Sequence, residues 1–188
     1  MKRIFLALMM LFIMVSCACA DVEISAANFP DNIFRAYVRE TCDDNNDGIL
    51  TNEDLEYPAW FDVSGQGISS LKGIEFFTGL NGLNCANNNL TGTLDLSSNT
   101  ALTWLNCSYN KLESLNITGC MNLEYIYCSN NQLTGTLDLS GRTALKEAYF
   151  NNNQLTGTVN VRGCTGLTHL NLDTNKLTGT LDLSSNPE

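Results

Sequence analysis

The chain has 188 residues and a formal net charge of −10. That length supports one domain with a sizeable core, and not two ordinary ones. The acidic balance excludes nucleic acid as a partner and argues against an anionic membrane surface, because both need a basic face.

The first 20 residues stand apart. Lys2 and Arg3 precede an apolar run from Ile4 to Val15, and the stretch closes on Ala18-Cys19-Ala20. A positive start, an apolar centre and an A-x-A exit predict a secretory signal peptide cut before Asp21. The run is short for a membrane span. The protein is therefore expected to be secreted or at the cell surface. Met14-Val15-Ser16-Cys17 offers an alternative, a lipoprotein anchored through Cys17.

Residues 21–57 predict a helical cap. Phe29, Ile33, Phe34, Tyr37 and Val38 recur at helical spacing, so a helix is expected over 28–41. Pro30 and Asp31 suit its first turn. Its apolar face should pack on the first repeat of the segment that begins at residue 58. The next stretch, Asp43-Asp44-Asn45-Asn46-Asp47-Gly48-Ile49-Leu50-Thr51-Asn52-Glu53-Asp54, resembles an EF-hand calcium loop. Alternate side chains would converge on one ion, and Gly48 permits the sharp turn. The resemblance implies Ca2+ held by Asp43, Asn45, Asp47, the Ile49 carbonyl, Thr51 and Asp54. Asp at the last place, where Glu is usual, is similar to the loops of dockerins. Dockerins carry two such loops, whereas only one is found here. The competing reading is a turn-rich loop that binds no metal. If calcium binds, its expected role is to staple the cap to the rest of the chain.

Residues 58–188 are repetitive. Aligned on Leu80, Leu102, Leu123, Leu145 and Leu167, five units read L-x-x-L-x-[C/L/F]-x-x-N-x-L, with Ile126 and Ala148 at the second apolar place of the third and fourth units. Phe61-Asp62-Val63 is a degenerate first unit, which makes about six. These residues resemble the leucine-rich-repeat family. The resemblance implies that each L-x-[L/C] step is a short parallel strand with its apolar residues inward. It also implies an asparagine turned inward to satisfy the backbone at the bend. The other half of each unit repeats too, as Leu94-Asp95-Leu96, Leu115-Asn116-Ile117, Leu137-Asp138-Leu139, Val159-Asn160-Val161 and Leu181-Asp182-Leu183. Anchors recur every 11 residues, with one step of 10 from Leu105 to Leu115. This is similar to a bacterial subtype with nested repeats of ten and eleven residues, which implies strands on both sides of each coil. The expected fold is a mainly β repeat solenoid, flattened rather than deeply curved, since a lone unit cannot bury its own apolar face.

Cys85, Cys107 and Cys128 fall in one inward column, and Cys120 and Cys164 in a corner column two units apart. Two strand spacings are too far for a disulfide. Cysteines stacked within a column have parallel side-chain vectors. Buried free thiols are the expected state, with disulfides as the competing one. Asp95, Asn116, Asp138, Asn160 and Asp182 form a further column, in which amides separate the acids and relieve their repulsion.

Strand residues between the inward positions face solvent. They place Trp104, Asn106, Tyr109, Tyr125, Tyr127, Tyr149 and His169 as candidate ligand contacts, beside Glu124, Lys146 and Glu147. Clustered aromatics suit a protein or glycan ligand. Cross-strand packing alone is the bland explanation.

Nothing in the chain spells catalysis. There is one histidine, and no G-x-S-x-G, H-E-x-x-H or phosphate-binding loop. The expected function is an exported binding module for a surface or host protein or glycan. The alternatives are a structural envelope spacer, or a truncated piece of a larger surface protein. The sequence stops at Asn186-Pro187-Glu188 without a polar capping unit, which makes end-to-end self-association a further expectation.

Overall fold

The computed structural model describes residues 21–56 and 60–186. The signal-peptide and Cys17-anchor readings fall on residues 1–20 and lie outside the described residues. Among the described residues, no helix is long and apolar enough to cross a membrane.

The cap opens with strand β1 (Val22–Glu23), then helix α1 (Asn32–Cys42), strand β2 (Ile49–Leu50) and the short helix α2 (Asn52–Glu56). Helix α1 begins later than the apolar spacing predicts. Asp31 is its N-cap and accepts from the backbone N–H of Ile33 and Phe34, each at 3.0 Å. This satisfies two donors that a helix start leaves orphaned. Phe34, Val38 and Cys42 are buried, while Ile33 is exposed. The apolar face is thus narrower than the sequence spacing implies.

Several contacts tie this cap to the solenoid. Phe29 packs against Phe76 and Phe77, with ring centroids 5.8 and 6.3 Å apart, and Tyr37 meets Phe61 edge-on at 5.3 Å. The second oxygen of Asp31 accepts from the N–H and hydroxyl of Ser69, both at 2.8 Å. One carboxylate therefore caps α1 and joins it to the first coil.

From residue 60 the chain coils. One face is a six-stranded parallel sheet made of β3 (Trp60–Asp62), β4 (Gly82–Asn84), β6 (Trp104–Asn106), β8 (Tyr125–Tyr127), β10 (Glu147–Tyr149) and β12 (His169–Asn171). The register is in step throughout, so Leu83, Leu105, Ile126, Ala148 and Leu170 align. The degenerate unit at Phe61 pairs like the rest, with Phe61 opposite Leu83. A 3-10 turn at Ile74–Phe76 crosses between the first two rungs.

The other face carries β5 (Thr91–Asp95), β7 (Lys111–Asn116), β9 (Thr134–Asp138) and β11 (Gln154–Asn160). These form two separate pairs, β5–β7 and β9–β11, rather than one sheet. The break falls at the single 10-residue step, where Leu112-Glu113-Ser114-Leu115 is one residue shorter than Leu90-Thr91-Gly92-Thr93-Leu94. Strands are therefore present on both sides of the coils, as the nested repeat implies. The fold is a mainly β repeat solenoid with little helix, the architecture that the resemblance implies.

Between the faces lies one continuous core. Leu83, Leu105, Ile126, Cys85, Cys107 and Cys128 are fully buried within it. Among the described residues, six cysteines are free and buried: Cys42, Cys85, Cys107, Cys120, Cys128 and Cys164. Burial pushes the Cys85 and Cys107 thiols well above their ordinary range, and Cys42 to about 12. They behave as small core residues.

The predicted inward asparagines supply the bridges between coils. Asn131 is buried and donates to Cys107 O at 3.0 Å and Cys128 O at 3.3 Å, while its Oδ1 accepts from Leu112 N at 3.0 Å. Asn88, Asn110 and Asn153 repeat this pattern, each reaching one coil back. Replacing Asn131 with Ala orphans the Leu112 N–H in a dry interior and removes one of the two amide donors to the Cys107 carbonyl. We expect a loss of about 2–4 kcal/mol, read as a lower midpoint in urea unfolding with an unchanged slope.

Candidate functional site

The parallel register turns alternate strand residues outward in two columns. Trp60, Gly82, Trp104, Tyr125, Glu147 and His169 form one. Asp62, Asn84, Asn106, Tyr127, Tyr149 and Asn171 form the other.

Four rings join into a ladder across these columns. Trp60 and Trp104 lie 4.8 Å apart, Trp104 and Tyr127 5.8 Å, and Tyr127 and Tyr149 5.3 Å with planes only 16° apart. Only Tyr127 and Tyr149 stack face to face, while the two pairs made by Trp104 are tilted by 36° and 48°; close aromatic pairs of either kind stabilise beyond simple burial. Trp60 and Trp104 are two rungs apart and meet because Gly82 lies between them. A Cβ on Gly82 would collide with the Trp60 ring.

Sequence reasoning misses Trp60. The only signal is its place one residue before Phe61, equivalent to Gly82 and Trp104 in later units. It is 50 % exposed and walls a cleft of about 650 Å³, whose other walls include Asp44, Glu53, Asp54 and Glu56.

Of the predicted contacts, Trp104, Asn106, Tyr125, Tyr127, Tyr149 and His169 share the face. Asn106 uses its Oδ1 to accept from Ser108 N at 3.1 Å, which closes the turn after β6. Tyr125 sits apart from the ladder, beneath Lys146 Nζ at 5.5 Å, and Lys146 pairs with Glu124 at 2.6 Å. His169 is exposed at the far end, with Nδ1 3.0 Å from the Thr168 hydroxyl. Tyr109 departs from the face. It occupies the turn after β6 in a left-handed conformation (φ 56°), in column with Asn87, Asn130, Asn152 and Thr174. Among the described residues its ring joins no aromatic pair.

The loop resembling an EF-hand has a defined shape. Both oxygens of Asp43 accept backbone N–H groups, from Asp47 at 3.1 Å and Gly48 at 3.0 Å. Asp47 Oδ1 accepts from Ile49 N at 2.8 Å. Thr51 starts α2, and its N–H and hydroxyl donate to Asp54 at 2.7 Å. Ile49–Leu50 pair antiparallel with Val22–Glu23. Among the described residues, no three His, Cys, Asp or Glu side chains converge as a metal site. The Asp54 carboxylate is engaged by Thr51 rather than aimed at Asp43.

On the opposite face the acid–amide column is hydrogen-bonded as expected. Asn116 Nδ2 donates to Asp95 at 3.0 Å. Each member also caps the following turn, as Asp95 does to Ser97 N at 3.0 Å and Asp138 to Ser140 N at 2.9 Å. These bonds hold both carboxyls below their usual range.

Known proteins share this architecture. A leucine-rich-repeat family model matches residues 122–141. Among solved structures, the chain is similar to the functional domain of InlJ from Listeria monocytogenes, described as including a cysteine ladder. The TM-score is 0.53 at 29 % identity, over 89 % of this chain and 46 % of that one. It thus spans just under half of that domain. It is also similar in fold to an internalin C2 from Listeria monocytogenes, with a TM-score of 0.51 at 20 % identity, over 88 % of this chain and 99 % of that one. No curated protein matches it in sequence.

Tyr127 offers a direct report on the ladder. Its hydroxyl donates to Glu147 at 2.9 Å. Burial first, then the Glu147 carboxylate, push its phenol up to about 12. A raised native value favours the neutral phenol, so the stabilisation is full below the ordinary tyrosine range near pH ~10 and is lost as pH rises toward 12. Absorbance titration should show late phenolates from Tyr127 and from Tyr37, which burial also raises, and only the Tyr127 one moves to lower pH in Glu147→Gln.

Proposed function

We propose that this protein is an exported binding module that recognises a protein or glycan ligand on its six-stranded face. The observation that carries this reading is the four-ring ladder from Trp60 to Tyr149. Trp104, Tyr127 and Tyr149 are only half-buried and Trp60 is half-exposed, so the stack presents aromatic area to solvent. Exposed aromatic clusters of this kind are where binding energy concentrates at interfaces. Leucine-rich-repeat folds carry such surfaces on a rigid scaffold, which keeps the ordering cost of binding low. Export follows from the signal-peptide pattern of residues 1–20, and no helix among the described residues would span a membrane. Asp31, Asp43, Asp54, Asp62, Asp95, Asp138 and Asp182 are engaged in turns, caps or the cap loop.

An array of surface proteins and glycans tests the proposal, probed with the chain lacking residues 1–20. The Trp104→Ala/Tyr125→Ala/Tyr127→Ala variant serves as comparison. A ligand that binds the parent and is lost from the folded variant supports it. No ligand, or one indifferent to these changes, leaves the spacer as the better account.

Calcium stapling of the cap belongs to the same proposal. The donor set of Asp43, Asn45, Asp47, the Ile49 carbonyl, Thr51 and Asp54 is all oxygen, which suits a hard cation. The left-handed Asn46 and Gly48 curl the loop around Asp43. When bound, the ion would supply charge neutralisation, while these residues hold the loop against α2 and β1. An ion at about 100 times its dissociation constant adds about 2.7 kcal/mol to the folded state. The melting temperature should rise by several degrees between chelator and millimolar calcium, and Asp47→Asn should erase that difference. Equal melting in both conditions would remove calcium from the account.

A further inference from the structure

We propose that the ligand of the ladder face is a basic segment of a partner protein, laid across the strands in extended form. This rests on the binding-module reading above and narrows it to one chemistry. Three observations lead there.

Ring orientation is the first. A sugar platform needs a free ring face, whereas Tyr127 and Tyr149 cover each other at 16° and Trp104 has a tilted ring on either side, Trp60 at 4.8 Å and Tyr127 at 5.8 Å. The interior rings therefore offer mainly their edges. Trp60, at the open end and 50 % exposed, retains surface in the cleft beside the cap.

Charge is the second. Asp62 and Glu147 flank the ladder, and Asp44, Glu53 and Glu56 line the cleft that Trp60 walls. The outward columns of β3 to β12 contain no lysine or arginine. An aromatic surface with an anionic rim complements a cationic partner and repels an acidic one.

The third is a worked instance on the same face. Lys146 lies over the Tyr125 ring at 5.5 Å while its ammonium pairs with Glu124 at 2.6 Å. The protein thus already holds a cation between an aromatic ring and a carboxylate there. Trp60 beside Glu53 and Glu56, and Tyr149 beside Glu147, offer the same combination to a cation from outside. From β3 to β10 the ladder covers four strand spacings, roughly 19 Å, which is the reach of about six extended residues.

The test uses a fluorescein-labelled dodecapeptide of alternating arginine and glycine, and its glutamate counterpart, titrated by anisotropy in constant calcium. We expect the basic peptide to bind and the acidic one not to. Trp60→Leu/Trp104→Leu and Asp62→Asn/Glu147→Gln should each weaken binding by about tenfold or more. Glu113→Gln, on the opposite face, should change it less than about twofold. The chain has two tryptophans, Trp60 and Trp104, both in the ladder, so the basic peptide should also perturb intrinsic emission. Circular dichroism checks that each variant folds, and the charge variant decides should the double tryptophan variant not fold. Equal affinity for both peptides overturns the proposal. So does loss by mere charge removal that Glu113→Gln reproduces. An array ligand that is neutral, acidic or a sugar, yet lost with the aromatics, also overturns it while leaving the binding-module reading standing.

Discussion

Every coil of this protein turns a corner with its backbone pointing inward, and a buried carboxamide makes that tolerable. The carbonyls of Cys85, Cys107 and Cys128 cannot bond within their own strand at the bend, and water does not reach them. Asn110, Asn131 and Asn153 donate to them from the next coil, at 3.0 Å in each case. The same side chains accept an N–H from the coil behind. An amide alone offers donor and acceptor in that compact form. Aspartate would bring charge, and leucine would orphan the N–H and leave the carbonyl with only the asparagine of its own coil. The bridge also fixes the rise between coils, so every other column inherits its spacing.

Once the columns exist, each side chain meets its own kind a strand away, and the chain handles this differently at each place. Where acids would stack, amides intervene, as Asn116 does above Asp95. Where the second corner turns inward, Asn99, Cys120, Arg142 and Cys164 occupy one column. Each donates to a carbonyl of the previous coil: Ile74, Leu96, Ile117 and Leu139 respectively. Arginine is the costly member. It is buried, and its Nε has no partner. The role needs only a donor of modest reach, which is why a thiol can fill it. These corner cysteines are therefore polar participants, unlike Cys85, Cys107 and Cys128, which fill apolar space.

Periodicity explains what could be read before the structure. A column repeats its chemistry every 21 or 22 residues, so inward leucines, asparagines and cysteines announced themselves, and the outward aromatics followed from strand alternation. Reading failed where the period is broken or where the informative residue is an absence. Trp60 precedes a unit without the leading leucine motif. Gly82 looks like an unremarkable loop glycine, yet its missing side chain admits Trp60 to the ladder. Tyr109 fell in the outward list because it follows a strand, but the turn there needs a left-handed residue and carries the ring away. Ile33 matched helical spacing and still faces solvent, since Asp31 starts the helix and sets its phase. The shortened unit at β7 keeps its pairing with β5 through a register shift between Gly92 and Thr93, and the break appears on its other side, before β9, where nothing in the repeat announces it.

The same geometry shapes the aromatic face. Parallel strands hold equivalent residues at a spacing close to the thickness of a stacked ring pair, so a column of aromatics closes on itself and gives up its faces. Such a stack is rigid and apolar along its flank, with polar chemistry displaced to the rim. Tyr127 shows the consequence: its ring is shared with Tyr149, while its hydroxyl reaches Glu147. The charge at that rim is negative, from Asp62 at one end and Glu147 at the other. A stack that ended at Trp104 would be an internal brace for the sheet. Because Gly82 lets it continue to a half-exposed Trp60 beside the acidic cleft of the cap, the brace becomes a surface with an open end.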